Sequence, residues 1–162
     1  MLNYLFMPNA SFTKDPFLKP VILSALLTVL LSLIFALGLI LWAIIGGYVA
    51  VRLAYKTTKE TISLIDCLLL GLFSGIVGAT CLDMLTIVSF SSHDNQALLI
   101  RTMEKNWPKD IQAPDFNTML PSIFFTTCVI IFLITVASSV LGSYIGIFLS
   151  KKKDKRKIER LE

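Results

Sequence analysis

The chain has 162 residues, of which 55% are hydrophobic and only 16% are charged, with a formal net charge of +4. Soluble domains carry about a quarter charged residues, so this composition excludes an ordinary water-soluble domain. Residues 21–51, 64–90 and 120–150 form three apolar blocks, each longer than the roughly 20 residues that a membrane helix needs. Because the blocks lack strand-type alternation, they predict an all-α integral membrane helical bundle, with residues 1–162 as one membrane domain.

The N-terminal segment, residues 1–16, contains an apolar stretch at residues 2–7, which we expect to lie on the inner membrane surface. Lys14 and Lys19 precede an apolar run, as in a secretory signal peptide. The run continues through residues 39–51 instead of giving way to polar mature sequence, so we expect it to be retained.

The first apolar block is long for one membrane helix. From Pro20 to Tyr55 there are 36 residues, which would extend for about 54 Å as one helix against a hydrocarbon core of about 30 Å. We therefore predict two helices near residues 17–35 and 39–55, with a turn near residues 36–38. One long helix, giving three membrane helices in total, is the alternative.

The remaining predicted membrane helices are residues 62–90 and 120–150, so that residues 17–90 contain the first three of four. Between them lies a polar, extracytoplasmic segment, residues 91–119. Within it, residues 97–107 place large apolar side chains at every fourth position, which indicates a short amphipathic helix on the outer membrane surface. His93 and Asp94 precede this helix, and we expect them to cap it.

The charges outside the apolar blocks predict the topology. Arg52, Lys56 and Lys59 follow the first block, and the tail, residues 151–162, carries seven Lys and Arg residues against three acidic ones. In residues 91–119, three basic residues are outweighed by four acidic ones. Cytoplasmic loops carry the Lys and Arg excess, so we expect the tail to be cytoplasmic and to meet anionic lipid. The net charge therefore indicates topology and predicts no nucleic-acid partner.

Small residues recur at every fourth position in three of the predicted helices. The three series are Gly46, Ala50 and Ala54; Gly71, Gly75 and Ala79; and Ser138, Gly142, Gly146 and Ser150. In lipid, helices associate by close approach of their backbones over small side chains. A series with this spacing lies along one helix face, so it predicts packing within the bundle or between copies of the chain.

The sequence also contains an internal repeat, and it resembles known proteins. Residues 45–50, Ile-Gly-Gly-Tyr-Val-Ala, match residues 141–146, Leu-Gly-Ser-Tyr-Ile-Gly, which is consistent with two duplicated hairpins. These glycine-rich helix ends, with residues 44–79 and 141–153 around them, resemble small archaeal and bacterial four-helix membrane proteins of unknown function. The chain departs from their pattern at Val51, where they have a second small residue, and in residues 91–119. The resemblance implies four helices and no particular activity.

Asp66 and Asp83 are the two charged residues inside the predicted membrane helices. Asp66 lies near the cytoplasmic end of its helix at the depth of Arg52, which predicts a structural ion pair. Asp83 lies about 10 Å deeper than Phe90 along its helix.

Asp83 has two alternative interpretations. We expect its carboxyl group to face Thr126 or Thr127 of the last helix. It is then either a structural group that accepts a hydrogen bond or a site for a proton or cation.

No motif indicates catalysis, a metal site or a cofactor. Cys67, Cys81 and Cys128 lie inside apolar blocks without metal-ligand spacing, and the single histidine has too few ligand partners nearby.

We therefore predict a multipass protein of the inner (cytoplasmic) membrane of a prokaryote that is not an enzyme. Its expected role is a structural, assembly or accessory subunit with a protein partner or a second copy of itself. The alternatives are a small transporter or channel component that uses Asp83 and, less favoured by the motifs, an intramembrane enzyme.

Overall fold

The structure, a computed structural model, describes residues 17–34, 38–58, 62–108 and 110–158. Within these residues it is all-helical and contains no strand. The helices are α1 (Leu18–Ile34), α2 (Leu39–Thr58), α3 (Leu64–Phe90), α4 (His93–Asn106) and α5 (Phe116–Ile158). The apolar stretch at residues 2–7 lies outside the described residues.

Three helical segments are long and apolar enough to cross a membrane, namely Leu39–Thr57, Leu64–Phe90 and Phe116–Ser150. The helix α1 is apolar as well, but it has only 17 residues. Large apolar side chains are exposed along the outside of the helices, for example Leu26, Leu33, Met84, Val88, Phe125, Leu133 and Phe148. Such an exterior suits a lipid environment, and together with the long apolar helices it indicates a membrane protein.

The first apolar block forms a hairpin of two helices. The chain leaves α1 at Ile34 and enters α2 at Leu39, and the predicted turn falls largely on residues 35–37, outside the described residues. The two helices pack against each other, since the Thr28 hydroxyl donates to the carbonyl oxygen of Trp42 at 3.5 Å. The alternative of one long helix is therefore wrong.

The helices α1 and α3 run in the same direction. The hydroxyl oxygens of Ser24 and Ser74 are 2.6 Å apart and buried. Gly78 faces the backbone of Ala25, one residue further along α1. Because both contacts advance together along the two helices, α1 and α3 are parallel.

The helix α5 runs antiparallel to α3. Three pairs of residues establish the register, Gly71 with Ser143, Gly75 with Ser139, and Phe90 with Phe124, whose ring centroids are 4.7 Å apart. In these three pairs, residues later in α3 lie beside residues earlier in α5. This register places Asp83 level with Ile131.

The helix α5 also runs parallel to α2, and the two copies of the internal repeat contact each other there. Gly142 lies against the backbone of Ile44, and Gly146 lies against that of Tyr48. Gly47 lies against the backbone of Ser143, which is the equivalent residue in the second copy of the repeat. Neighbouring helices in the chain order α1, α2, α3 and α5 therefore alternate in direction, as in an up-and-down four-helix bundle.

The helix in the polar connection between α3 and α5 begins earlier than the sequence predicts. The helix α4 starts at His93 instead of residue 97, so His93 and Asp94 form its first turn and do not precede it. The side-chain amides of Asn95 and Gln96 donate to the carbonyl oxygens of Ser89 and Phe90, at 2.7 and 2.8 Å. These bonds satisfy carbonyl groups at the end of α3 and hold α4 against it.

The last helix is longer at both ends than predicted. It begins at Phe116 because Asp115 Oδ1 accepts the backbone N–H of Asn117 at 3.1 Å, as an N-capping side chain does. It continues past Ser150 to Ile158, so the predicted tail is helical over residues 151–158.

Candidate polar site in the membrane helices

Asp66 stabilises the start of its own helix. The Ser63 hydroxyl accepts the backbone N–H of Asp66 at 3.2 Å, and Asp66 Oδ2 accepts the backbone N–H of Ser63 at 3.3 Å. This reciprocal capping box satisfies two N–H groups that a helix N-terminus leaves without intrahelical partners.

Arg52 lies away from this cap. Its side chain is exposed, donates to the Tyr48 hydroxyl at 3.2 Å and lies over the Tyr48 ring. Among the described residues the predicted ion pair of Arg52 with Asp66 is not formed, because Arg52 bonds within α2 and Asp66 caps α3.

Asp83 lies in the groove between α3 and α5. It is two helical turns from Phe90, which stacks on α5, and residues two turns apart share a helix face. Cys128 of α5 is within electrostatic range of the Asp83 carboxyl group. The side chain is half-buried, and its Oδ1 is buried without a hydrogen-bond donor among the described residues.

Thr126 and Thr127 do not provide that donor. Both are exposed, and their hydroxyls donate to the carbonyl oxygens of Ser122 and Ile123 in their own helix, each at 2.8 Å. In the register of α3 against α5, Thr126 and Thr127 lie about one helical turn from the level of Asp83. Neither threonine therefore forms the predicted hydrogen bond with Asp83 among the described residues.

Two other hydroxyl groups of α5 do lie on the face that meets α3. Ser139 packs beside Gly75, and Thr135 lies one turn from Ser139 on the same face. Thr135 is 0% exposed and Ser139 is 2% exposed, yet neither hydroxyl has a hydrogen-bond partner among the described residues. In contrast, four hydroxyls of α5 donate to carbonyl groups of their own helix, namely those of Thr126, Thr127, Ser143 and Ser150.

A third helix contributes an oxygen at the same depth. Ser32 lies two turns beyond Ser24 on α1, so the parallel pairing of Ser24 with Ser74 places Ser32 level with Leu82. Ser32 is 6% exposed, and its hydroxyl has no hydrogen-bond partner among the described residues.

Ser32, Asp83 and Thr135 together form what we call the oxygen layer. The register places Thr135 level with Ala79 and Ser32 level with Leu82, so the three residues lie within about one helical turn, or roughly 6 Å, along the bundle axis. Each unsatisfied buried polar atom costs about 1–3 kcal/mol. Three such atoms lie at one depth but not at one point, because Asp83 is nine residues from Ser74 and therefore lies on the side of α3 that faces away from α1.

On the side of the layer nearer the start of α3, the helix backbones touch. A methyl group added at Gly75 would lie 2.8 Å from the Cα atom of Val136. A methyl group added at Gly142 would overlap the carbonyl oxygen of Ile44. This part of the bundle is therefore closely packed, as expected for glycine contacts between membrane helices.

Ser32 and Thr135 were not predicted from the sequence as members of a polar site. A signal was present, because hydroxyl residues recur at every fourth position in two apolar helices. The series are Ser24, Thr28 and Ser32 in α1, and Thr135, Ser139 and Ser143 in α5. The small-residue series of residues 46–54, 71–79 and 138–150 predict packing and not polarity.

The described residues contain no group of three or more His, Cys, Asp or Glu side chains that could hold a metal ion.

Comparison with protein-family models, with curated proteins and with solved structures finds no match for the chain.

Proposed function

We propose that the chain is a four-span multipass protein that acts as a structural, assembly or accessory subunit of a membrane complex. The observation that carries this proposal is the contact of glycines with neighbouring helix backbones on α2, α3 and α5. Helices packed in this way cannot separate or slide without losing close contacts along their length. A rigid bundle of this kind suits a subunit that holds other membrane helices in place.

The proposed topology follows from the charges and the alternating helix directions. With four spans, the N-terminus, residues 52–61 and the C-terminus face the cytoplasm, and α4 lies on the opposite surface. The 17 residues of α1 extend for roughly 26 Å, slightly less than the hydrocarbon core of about 30 Å. A span this short is accommodated by local thinning of the bilayer. We place the protein in the inner membrane of a prokaryote.

The exposed face of α5 is the proposed surface for partners. Leu133, Leu141 and Phe148 are 61%, 58% and 67% exposed and belong to the longest apolar segment of the chain. Lipid or another membrane helix can cover such a face, and a protein partner or a second copy would compete with lipid there. The basic residues 151–157 at the end of α5 add an attraction to anionic lipid.

Purification in a mild detergent tests this function. The tagged chain should migrate in a stable complex larger than one copy on native gels. Leu141→Trp and Leu133→Trp, on the exposed face, should weaken the complex, while the exposed Gln112→Ala in the polar connection should not. A chain that migrates as a single copy in every mild detergent tried, and cross-links to nothing in native membranes, would contradict the proposal.

The carboxyl group of Asp83, whose Oδ1 is buried without a hydrogen-bond donor among the described residues, favours a second candidate, a small transporter or channel component. Its test is ion flux into proteoliposomes that contain the purified chain. Flux that is present in the natural chain and lost in Asp83→Asn would favour this candidate over the structural one. A natural chain without flux above that of empty liposomes would exclude it.

A further inference from the structure

We propose that Asp83 anchors a membrane helix of a partner protein, and that this helix presents a Lys or Arg side chain at the depth of Asp83. The inference rests on the structural function proposed above and specifies the chemistry of the partner. Its evidence is the Asp83 carboxyl group, whose Oδ1 is buried without a hydrogen-bond donor among the described residues.

No basic residue of the chain's membrane helices lies near Asp83. The sequence contains no Lys or Arg in residues 64–90 or 116–150, so neither α3 nor the apolar part of α5 supplies one. Lys19 and Arg52, in α1 and α2, are level with the start of α3, roughly 20 Å or more from Asp83 along the bundle axis. The described membrane helices therefore provide no counter-charge for this carboxyl group.

The neighbouring hydroxyl and thiol groups do not satisfy the carboxyl group either. The hydroxyls of Thr80 and Thr86, about one turn to either side on α3, donate to carbonyl oxygens of their own helix at 2.8 and 2.9 Å. Cys128 of α5 is within electrostatic range, but a thiol is a weak donor and Asp83 Oδ1 has no hydrogen-bond partner. A donor for Oδ1 must come from another molecule.

Another helix can reach Asp83 from the membrane. Asp83 is half-buried at the edge of the contact between α3 and α5, on the side of α3 that faces away from α1. Thr80 and Ile87, about one turn before and after it, are both exposed, Ile87 at 49%. Residues three and four apart share a helix face. Thr80, Asp83 and Ile87 therefore form an open surface, which we call the Asp83 face.

Charge complementarity determines which partner fits the Asp83 face. Lipid tails donate no hydrogen bond, so lipid alone would leave the carboxyl group unsatisfied. Charged side chains inside membranes are costly and pair with one another. A Lys or Arg side chain supplies both the opposite charge and N–H donors. A second copy of this chain would bring another carboxyl group to the face and no cation at that depth.

The test is the binding of a synthetic membrane helix to the purified chain in liposomes, measured by fluorescence energy transfer. The probe is a polyleucine helix with one Lys about 10 Å from one end, which is the distance of Asp83 from Phe90 along α3. A matched peptide has Leu at that position. We expect the natural chain to bind the Lys peptide at least about tenfold more tightly than the Leu peptide.

Asp83→Leu should abolish this preference, and Asp83→Asn should reduce it, because the amide keeps an acceptor oxygen but loses the charge. Thr127→Val is the matched control, since Thr127 is exposed on α5 and its hydroxyl bonds to its own helix. It should leave the preference unchanged.

Equal affinities of the natural chain for the two peptides would overturn the proposal. That comparison requires no variant, so it stays decisive if Asp83→Leu fails to fold. A preference for the Lys peptide that persists in folded Asp83→Leu would also overturn it.

Native gels distinguish failure of this inference from failure of the structural function. We expect folded Asp83→Leu to lose the complex that the natural chain forms. A complex that stays intact in Asp83→Leu would leave the structural function standing while the Asp83 anchor fails. A natural chain that prefers the Lys peptide but forms no complex in native membranes would contradict the structural function alone.

Discussion

Ser24 and Ser74 bring their hydroxyl oxygens to 2.6 Å at the buried contact of α1 and α3. The Ser24 hydroxyl also donates to the carbonyl oxygen of Val21 at 2.9 Å, so in this contact the Ser74 hydroxyl is the donor and Ser24 the acceptor. This one bond sets the level of α1 against α3 and thereby the depth of Ser32 relative to Asp83.

A double-mutant cycle at this contact should measure a small positive coupling. Ser24→Ala and Ser74→Ala should each destabilise the bundle by about 1 kcal/mol, and the double variant by less than the sum. Interhelical bonds in membranes couple by about 0.6 kcal/mol on average, which is the value we expect. Unfolding in detergent or by steric trapping provides the measurement. Strict additivity would show that the two hydroxyls do not stabilise each other.

Alanine substitutions at two glycines of α3 should have different effects on stability. Gly75→Ala places its methyl group 2.8 Å from the Cα of Val136, so we expect a loss of about 1–3 kcal/mol. Gly78→Ala meets nothing nearer than 3.8 Å, at the Cα of Ala25, so it should be neutral or stabilising by up to about 1 kcal/mol. Thermal unfolding of the two variants makes the comparison. Equal effects would mean that α3 and α5 are not in contact at Gly75.

Removing the cap of α3 should destabilise the bundle without involving Arg52. Ser63→Ala should cost about 1 kcal/mol, the usual effect of losing an N-cap side chain. Arg52→Ala should have little effect alone, and its effect should be the same in the Asp66→Asn background, because the two side chains do not bond. Chemical denaturation of the natural chain, the two single variants and the double variant at Arg52 and Asp66 completes this cycle. A coupling above about 1 kcal/mol between Arg52 and Asp66 would restore the ion pair.

Cysteine labelling should establish the proposed topology. In a background with all three natural cysteines replaced by serine or alanine, Asn9→Cys should react only after the membrane is opened to the cytoplasmic side. Gln112→Cys, in the exposed segment between α4 and α5, should react from outside with an impermeant reagent. Labelling of Asn9→Cys from outside would mean that α1 does not cross the membrane.

Much of the helical architecture follows from local sequence. The break in the first apolar block was predicted because one helix of that length exceeds the hydrocarbon core, and α3 ends at Phe90, as predicted. The amphipathic spacing also identified α4, although not its first turn. Hydropathy and length depend only on residues near one another in the chain, so these features need no knowledge of the tertiary structure.

The polar contacts were decided by the tertiary structure. The sequence identified Asp83 as unusual but predicted Thr126 and Thr127 as its neighbours, whereas the register places Ile131 at its level. Lipid provides no hydrophobic drive that selects one register of two apolar helices over another. The register is instead selected where small residues let backbones approach, as at Gly71 with Ser143, far along the helices from Asp83. Residue spacing within one helix therefore determined which faces are polar, and only the packing of several helices decided that Ser32, Asp83 and Thr135 share one layer.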